Sequence, residues 1–107
     1  IIMHSRLHQN KDLSVVSSSK AAPDYIPDVP GVVRIRESKT RWTLRPGPNG
    51  QLFAEYIVSG NPGGSIPDWA VNMALESAPL NTIRNIRKVV GQSQYQNARL
   101  AYLKDLD

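Results

Sequence analysis

Separate segments of the first sixty positions of this chain alternate apolar and polar residues with a period of two, and the pattern then changes to a period of three and four. Period two is the mark of strands with one covered face, and the longer period marks an amphipathic helix. Four strands are predicted, over residues 1–9, 13–20, 32–45 and 52–59. The first two are joined by the short polar connection Asn10-Lys11-Asp12. Pro23, Pro27 and Pro30 exclude a central strand from residues 21–31 and mark a loop. Pro46-Gly47-Pro48-Asn49-Gly50 is a turn, and its Asn-Gly pair is a strong hairpin signal. Such short connections make the strands antiparallel neighbours.

Two strands carry finer information. In the third, Val33 and Ile35 are the apolar pair at first, and Trp42 and Leu44 later. That switch from odd to even parity predicts a bulge or bend between Glu37 and Arg41. In the fourth, Leu52, Ala54, Tyr56 and Val58 share one face, while Phe53 and Ile57 share the other with Glu55. A strand apolar on both faces is either packed on both or lines an apolar cavity on one.

The helix is expected to begin near Ile66. Ile66, Trp69, Ala70, Met73, Leu80, Ile83, Ile86 and Val90 recur at helical steps. Ser65 is a good N-cap residue, Asp68 stands three residues on as in a capping box, and Pro67 suits the first turn. Pro79 is expected to kink or break the helix near Glu76, and Gly91 to end it. Residues 92–107 read as a further helical turn or a tail.

The junction carries a resemblance. Tyr56-Ile57-Val58-Ser59-Gly60-Asn61-Pro62-Gly63-Gly64-Ser65-Ile66-Pro67-Asp68-Trp69-Ala70-Val71-Asn72 resembles the last strand and C-terminal helix of START (StAR-related lipid transfer) domains. Gly31-Val32-Val33-Arg34-Ile35-Arg36 and Trp42-Thr43-Leu44-Arg45-Pro46 resemble the family's penultimate strand, and Leu80-Asn81-Thr82-Ile83-Arg84-Asn85-Ile86-Arg87 the end of its helix. The likeness runs from about Ile1 to Val90. Asn61 departs from it, since the family usually carries Asp there.

The resemblance implies an α+β helix-grip fold, a curved antiparallel sheet around a long C-terminal helix. This chain would supply the last four strands and that helix. Residues 1–91 are then the C-terminal half of a lipid-binding domain and residues 92–107 an extension or tail. The missing N-terminal half would be a partner in the same domain. The implied activity is non-catalytic binding of one lipid or other hydrophobic molecule in an apolar tunnel under the helix, with transfer between membranes. Trp69, Met73, Leu80 and Ile83 would face the tunnel, with Tyr56 and Trp42 as wall residues. Arg6 matches a position where the family often places a cavity arginine, and is the candidate for polar-head recognition. Gly63, Gly64 and Pro79 are the candidate hinges, since a closed tunnel must open to admit its ligand. Core packing is the rival explanation for the helix stripe, and a solvated edge-strand arginine is the rival for Arg6.

Other chemistry has thin support. His4 and His8 share a strand face about 13 Å apart, too far for one metal. No cysteine is present, so thiolate sites and disulfides are excluded. Ser17, Ser18 and Ser19 lack the glycines of a nucleophile elbow. The Gly-Gly corner lacks the Lys-Ser/Thr of a phosphate loop. No catalytic residue, metal or cofactor is expected. The net charge of +4 permits attraction to anionic lipid or nucleic acid and demands neither. Arg34, Arg36, Lys39, Arg41 and Arg45, with Trp42 among them, are read as ordinary solvated charges. A basic surface for nucleic acid and a polyketide aromatase/cyclase-like enzyme remain the alternatives, and transient contact with a membrane surface is a further expectation. Compartment is left open.

Overall fold

A computed structural model describes residues 1–61 and 66–104. Strands β1 (Met3–Gln9), β2 (Val15–Ala21), β3 (Glu37–Pro46) and β4 (Leu52–Asn61) form one sheet in the order β1-β2-β3-β4. Every neighbouring pair is antiparallel. Helix α1 (Asp68–Val89) follows, and a short helix α2 (Ser93–Gln96) lies beyond it.

The turns explain the order. Asp12 Oδ1 accepts both the backbone N–H of Ser14 (2.9 Å) and its hydroxyl (2.6 Å), while Asn10 Nδ2 donates to the same hydroxyl oxygen (2.9 Å). Ser14 is the one buried residue among those described. This local network holds Leu13 at φ 72°, so Leu13 closes the turn and β2 starts at Val15 rather than at residue 13. In the second hairpin Asn49 and Gly50 take φ 61° and 72°. Positive φ at both central positions is what a tight hairpin requires, and Asn-Gly supplies it most readily.

The expected bulge in β3 is absent. Pairing with β4 runs unbroken from Glu37↔Asn61 to Pro46↔Leu52, and pairing with β2 is continuous from Lys20↔Lys39 to Val15↔Leu44. The parity switch has another cause, for residues 32–36 lie outside the strand. Val33 and Ile35 never join the alternation that Trp42 and Leu44 follow. Arg34 and Arg36 hold that segment to the proline-rich loop instead. The Arg34 guanidinium, with a side chain only 9% exposed, donates to the carbonyls of Pro23 (2.7 Å), Ile26 (3.1 Å) and Pro27 (2.9 Å). Arg36 pairs with Asp28 at 2.7 Å and Asp24 at 3.4 Å.

Helix α1 begins at Asp68, with Pro67 as its N-cap and no side-chain cap. Fixed φ and a missing N–H suit Pro67 to the position before the first full turn. Ser65, the expected cap, lies outside the described residues. The helix runs through Pro79 without a break and ends at Val89, with Gly91 just past its cap. Ser77 and Thr82, on either side of Pro79, donate their hydroxyls to the carbonyls four residues back. The tail returns to the sheet. Gln9 Nε2 donates to the Lys104 carbonyl and Gln9 Oε1 accepts the Lys104 N–H, both at 2.7 Å.

No hydrophobic side chain among the described residues is buried. The accessible surface is 8724 Å², against about 5,900 Å² for a compact protein of this mass. The radius of gyration is 16.7 Å, against about 13 Å for a compact chain of this length. Sheet and helix are well formed but share no closed core.

Candidate functional site

Strand register sorts the site residues onto two faces, because neighbours along a strand point to opposite sides. Leu7, Ser17, Trp42 and Tyr56 form one row across the sheet, and Arg6, Ser18, Arg41 and Ile57 form the row beside it. Trp42 and Tyr56 therefore share a face, and Arg6 stands on the other. The two rings stack with centroids 4.4 Å apart and planes 23° from parallel. Such a pair adds about 0.5–1.5 kcal/mol beyond its buried area.

The Arg6 face forms a concavity of about 600 Å³. His4, Arg6, Ser18, Lys20, Lys39 and Arg41 line it, with Ile57 and Ser59 at the β4 side. The volume lies within the usual range for a small-molecule site. Lys20, which the sequence did not single out, belongs to this set with Lys39 and Arg41. The signal that could have found it is pairing register, since Lys20 and Lys39 are direct cross-strand partners.

The basic stretch around Trp42 is divided. Arg34 and Arg36 are committed to the loop, Lys39 and Arg41 line the concavity, and Trp42 is stacked on the far face.

Helix α1 meets the sheet through its first turns. Val71, Ala74 and Leu75 share a small apolar cleft with Ile1, Ile35 and Val58. At 3.6 residues per turn, Trp69, Met73, Leu80 and Ile83 lie on the opposite side of the helix. Trp69 is 67% exposed, and Met73 and Leu80 are also exposed. Ile83 is half-buried, and this side of the helix points away from the cleft. The candidate hinges Gly63 and Gly64 lie outside the described residues, and Pro79 lies within the helix. Among the described residues no group of three or more His, Asp or Glu could hold a metal. No helix among them is long and apolar enough to cross a membrane.

Comparison with solved structures gives a close counterpart. A crystal structure of a STAR-related lipid transfer protein from Xanthomonas axonopodis superposes with a TM-score of 0.73 at 32% identity, over 84% of this chain and 50% of that one. The chain carries part of a START domain. Its four-stranded antiparallel sheet and long helix match the START helix-grip fold. An uncharacterised protein of Pseudomonas aeruginosa is 36% identical over 81% of the chain and 43% of its own length. Phosphatidylcholine transfer proteins of Bos taurus and Mus musculus are 29% and 31% identical, each over 69% of the chain and 34% of their own length. The chain spans half or less of the length of these relatives. No family model matches it.

Proposed function

We propose that the protein containing this START segment binds one lipid or other hydrophobic molecule in an apolar tunnel between the sheet and helix α1, and moves it between membranes without catalysis. The observation that carries this reading is the shared sheet-and-helix architecture with a STAR-related lipid transfer protein, supported by sequence likeness to phosphatidylcholine transfer proteins. Trp69, Met73, Leu80 and Ile83 serve as the helix wall, a role that requires α1 to turn toward the ligand the side it here directs away from the cleft with the sheet. Removing an apolar ligand from water contributes roughly 25 cal/mol per Å². Methionine on such a wall adapts to flexible acyl chains. Arg6 serves as the polar-head contact on the concave face, and Tyr56 and Trp42, which stand on the opposite face of the sheet, cannot wall the same tunnel. Pro79 acts as a hinge for ligand entry. Residues 1–91 are the C-terminal half of the domain and residues 92–107 an extension, with Lys104 tied back to Gln9. The N-terminal half of the domain closes the tunnel.

Native mass spectrometry of the full-length protein, followed by organic extraction, tests this. One bound hydrophobic molecule per protein is expected. An empty protein that takes up no lipid from a fluorescent panel refutes the reading.

A further inference from the structure

The concavity on the Arg6 face has an unbalanced charge. His4, Lys20, Lys39 and Ser59 stand in one cross-strand row, and Arg6, Ser18, Arg41 and Ile57 in the next. Lys20 and Lys39 are direct partners across antiparallel strands, whose backbones lie about 4.8 Å apart. Like charges placed so are destabilising unless something neutralises them. No carboxylate lines the concavity. Glu37 and Glu55 share the face but lie one row beyond it at either end, and neither forms an ion pair among the described residues. The ion pairs among the described residues are all made by Arg34 and Arg36, so Arg6, Lys20, Lys39 and Arg41 have no charged protein partner there. The small side chain of Ser18 separates the two arginines, leaving room between them and adding a hydroxyl donor.

From this geometry we infer that the concavity holds the headgroup of an anionic phospholipid, one bearing a terminal phosphate. This rests on the lipid-binding reading and narrows it to an acidic ligand class. Two arginine forks can each grip phosphate oxygens in pairs, and the two lysines act as point charges beside them. A zwitterionic headgroup would bring its own cation into a site that already holds four and has no carboxylate to receive it. The lattice therefore selects by net charge as well as by phosphate.

The test uses the full-length protein, with lipid extraction measured from phosphatidylcholine vesicles, pure or doped with phosphatidic acid. Bound lipid is identified by mass. Wild-type protein is expected to take phosphatidic acid over phosphatidylcholine by tenfold or more, on the order of one added charge-assisted contact. In Lys39→Gln/Arg41→Gln that preference is expected to fall towards parity. Phosphatidylcholine uptake, which also uses the phosphate grip, should fall less than phosphatidic acid uptake, and the melting temperature should hold or rise because the variant relieves repulsion. Lys20→Gln gives a milder form of the same result should the double variant fail to fold. Preferential uptake of phosphatidylcholine by the wild type overturns the inference while leaving lipid binding intact. So does a variant that loses stability but keeps its preference, since its cations would then be paired within the rest of the domain. Binding to acidic vesicles without extraction of lipid marks a membrane-surface role and also overturns it. Uptake of neither lipid overturns this inference, and the lipid-binding reading then stands or falls on native mass spectrometry and the fluorescent panel.

Discussion

Arg34 shows how much one side chain can decide. Its guanidinium meets three carbonyls of a loop whose own backbone makes two isolated turns, Tyr25 N–H to Ala22 and Val32 N–H to Val29. Lysine cannot reproduce that fork, so Arg34→Lys should fail nearly as badly as Arg34→Ala. Hydrogen bonds to a charged group are worth about 1.5–3 kcal/mol, and the loss of this set should cost about 2–3 kcal/mol in urea unfolding of the full-length protein. Arg36, half-exposed and paired with exposed aspartates, should matter less, at about 0.5–1 kcal/mol on substitution by alanine. Asp12 gives a second test at this scale. The Ser14 hydroxyl, then the Ser14 N–H, holds its carboxyl below the usual 3.8. Both bonds favour the charged form, so the turn gains stability that is fully present above pH 3.8 and is lost as pH falls through the lower folded value. Carboxyl NMR should find Asp12 titrating below 3.8 in the wild type and closer to it in Ser14→Ala.

At the scale of elements, strand pairing is the governing fact. Gly60 lies where the end of β4 meets the start of β3, and a Cβ there would sit 2.7 Å from the Glu37 carbonyl oxygen. Backbone on both sides must shift to admit it. Gly60→Ala should therefore cost about 1–3 kcal/mol and raise hydrogen exchange at the first residues of β3. The hairpins were legible because they rest on local chemistry, with Asn49-Gly50 specifying its turn by backbone preference alone. The start of β3 was not. Val33 and Ile35 have the composition of a strand, but Arg34 and Arg36 find partners in a loop about ten residues earlier. Alternation cannot reveal a competitor distant in sequence. The cation lattice was hidden for a similar reason, since Lys20 and Lys39 are nineteen positions apart and meet only through register.

Taken as a whole molecule, the chain exposes what a closed domain would cover. Leu52, Phe53, Trp69, Met73 and Leu80 are all exposed, and among the described residues neither edge of the sheet, β1 or β4, has an outer strand neighbour. Open edges and apolar patches of this kind invite association. The isolated 107-residue chain should self-associate with rising concentration in sedimentation velocity and bind an apolar dye strongly. Adding the N-terminal half of the domain should suppress both effects. A monomeric chain without dye binding would argue against a shared core.

The sequence by itself determined the local choices: where strands and helix form, which turns join them, and the family likeness carried by the residues from Tyr56 to Asn72. These depend on periodicity and on the conformational preferences of neighbouring residues, and both are written in order along the chain. Tertiary structure decided which residues stand together. It stacked Trp42 on Tyr56, set Arg6 on the opposite face among Lys20, Lys39 and Arg41, and turned the Trp69–Met73–Leu80–Ile83 stripe away from the sheet. Those relations follow from strand register and helix rotation, which are fixed by pairing between segments far apart in the chain rather than by any residue's own preference.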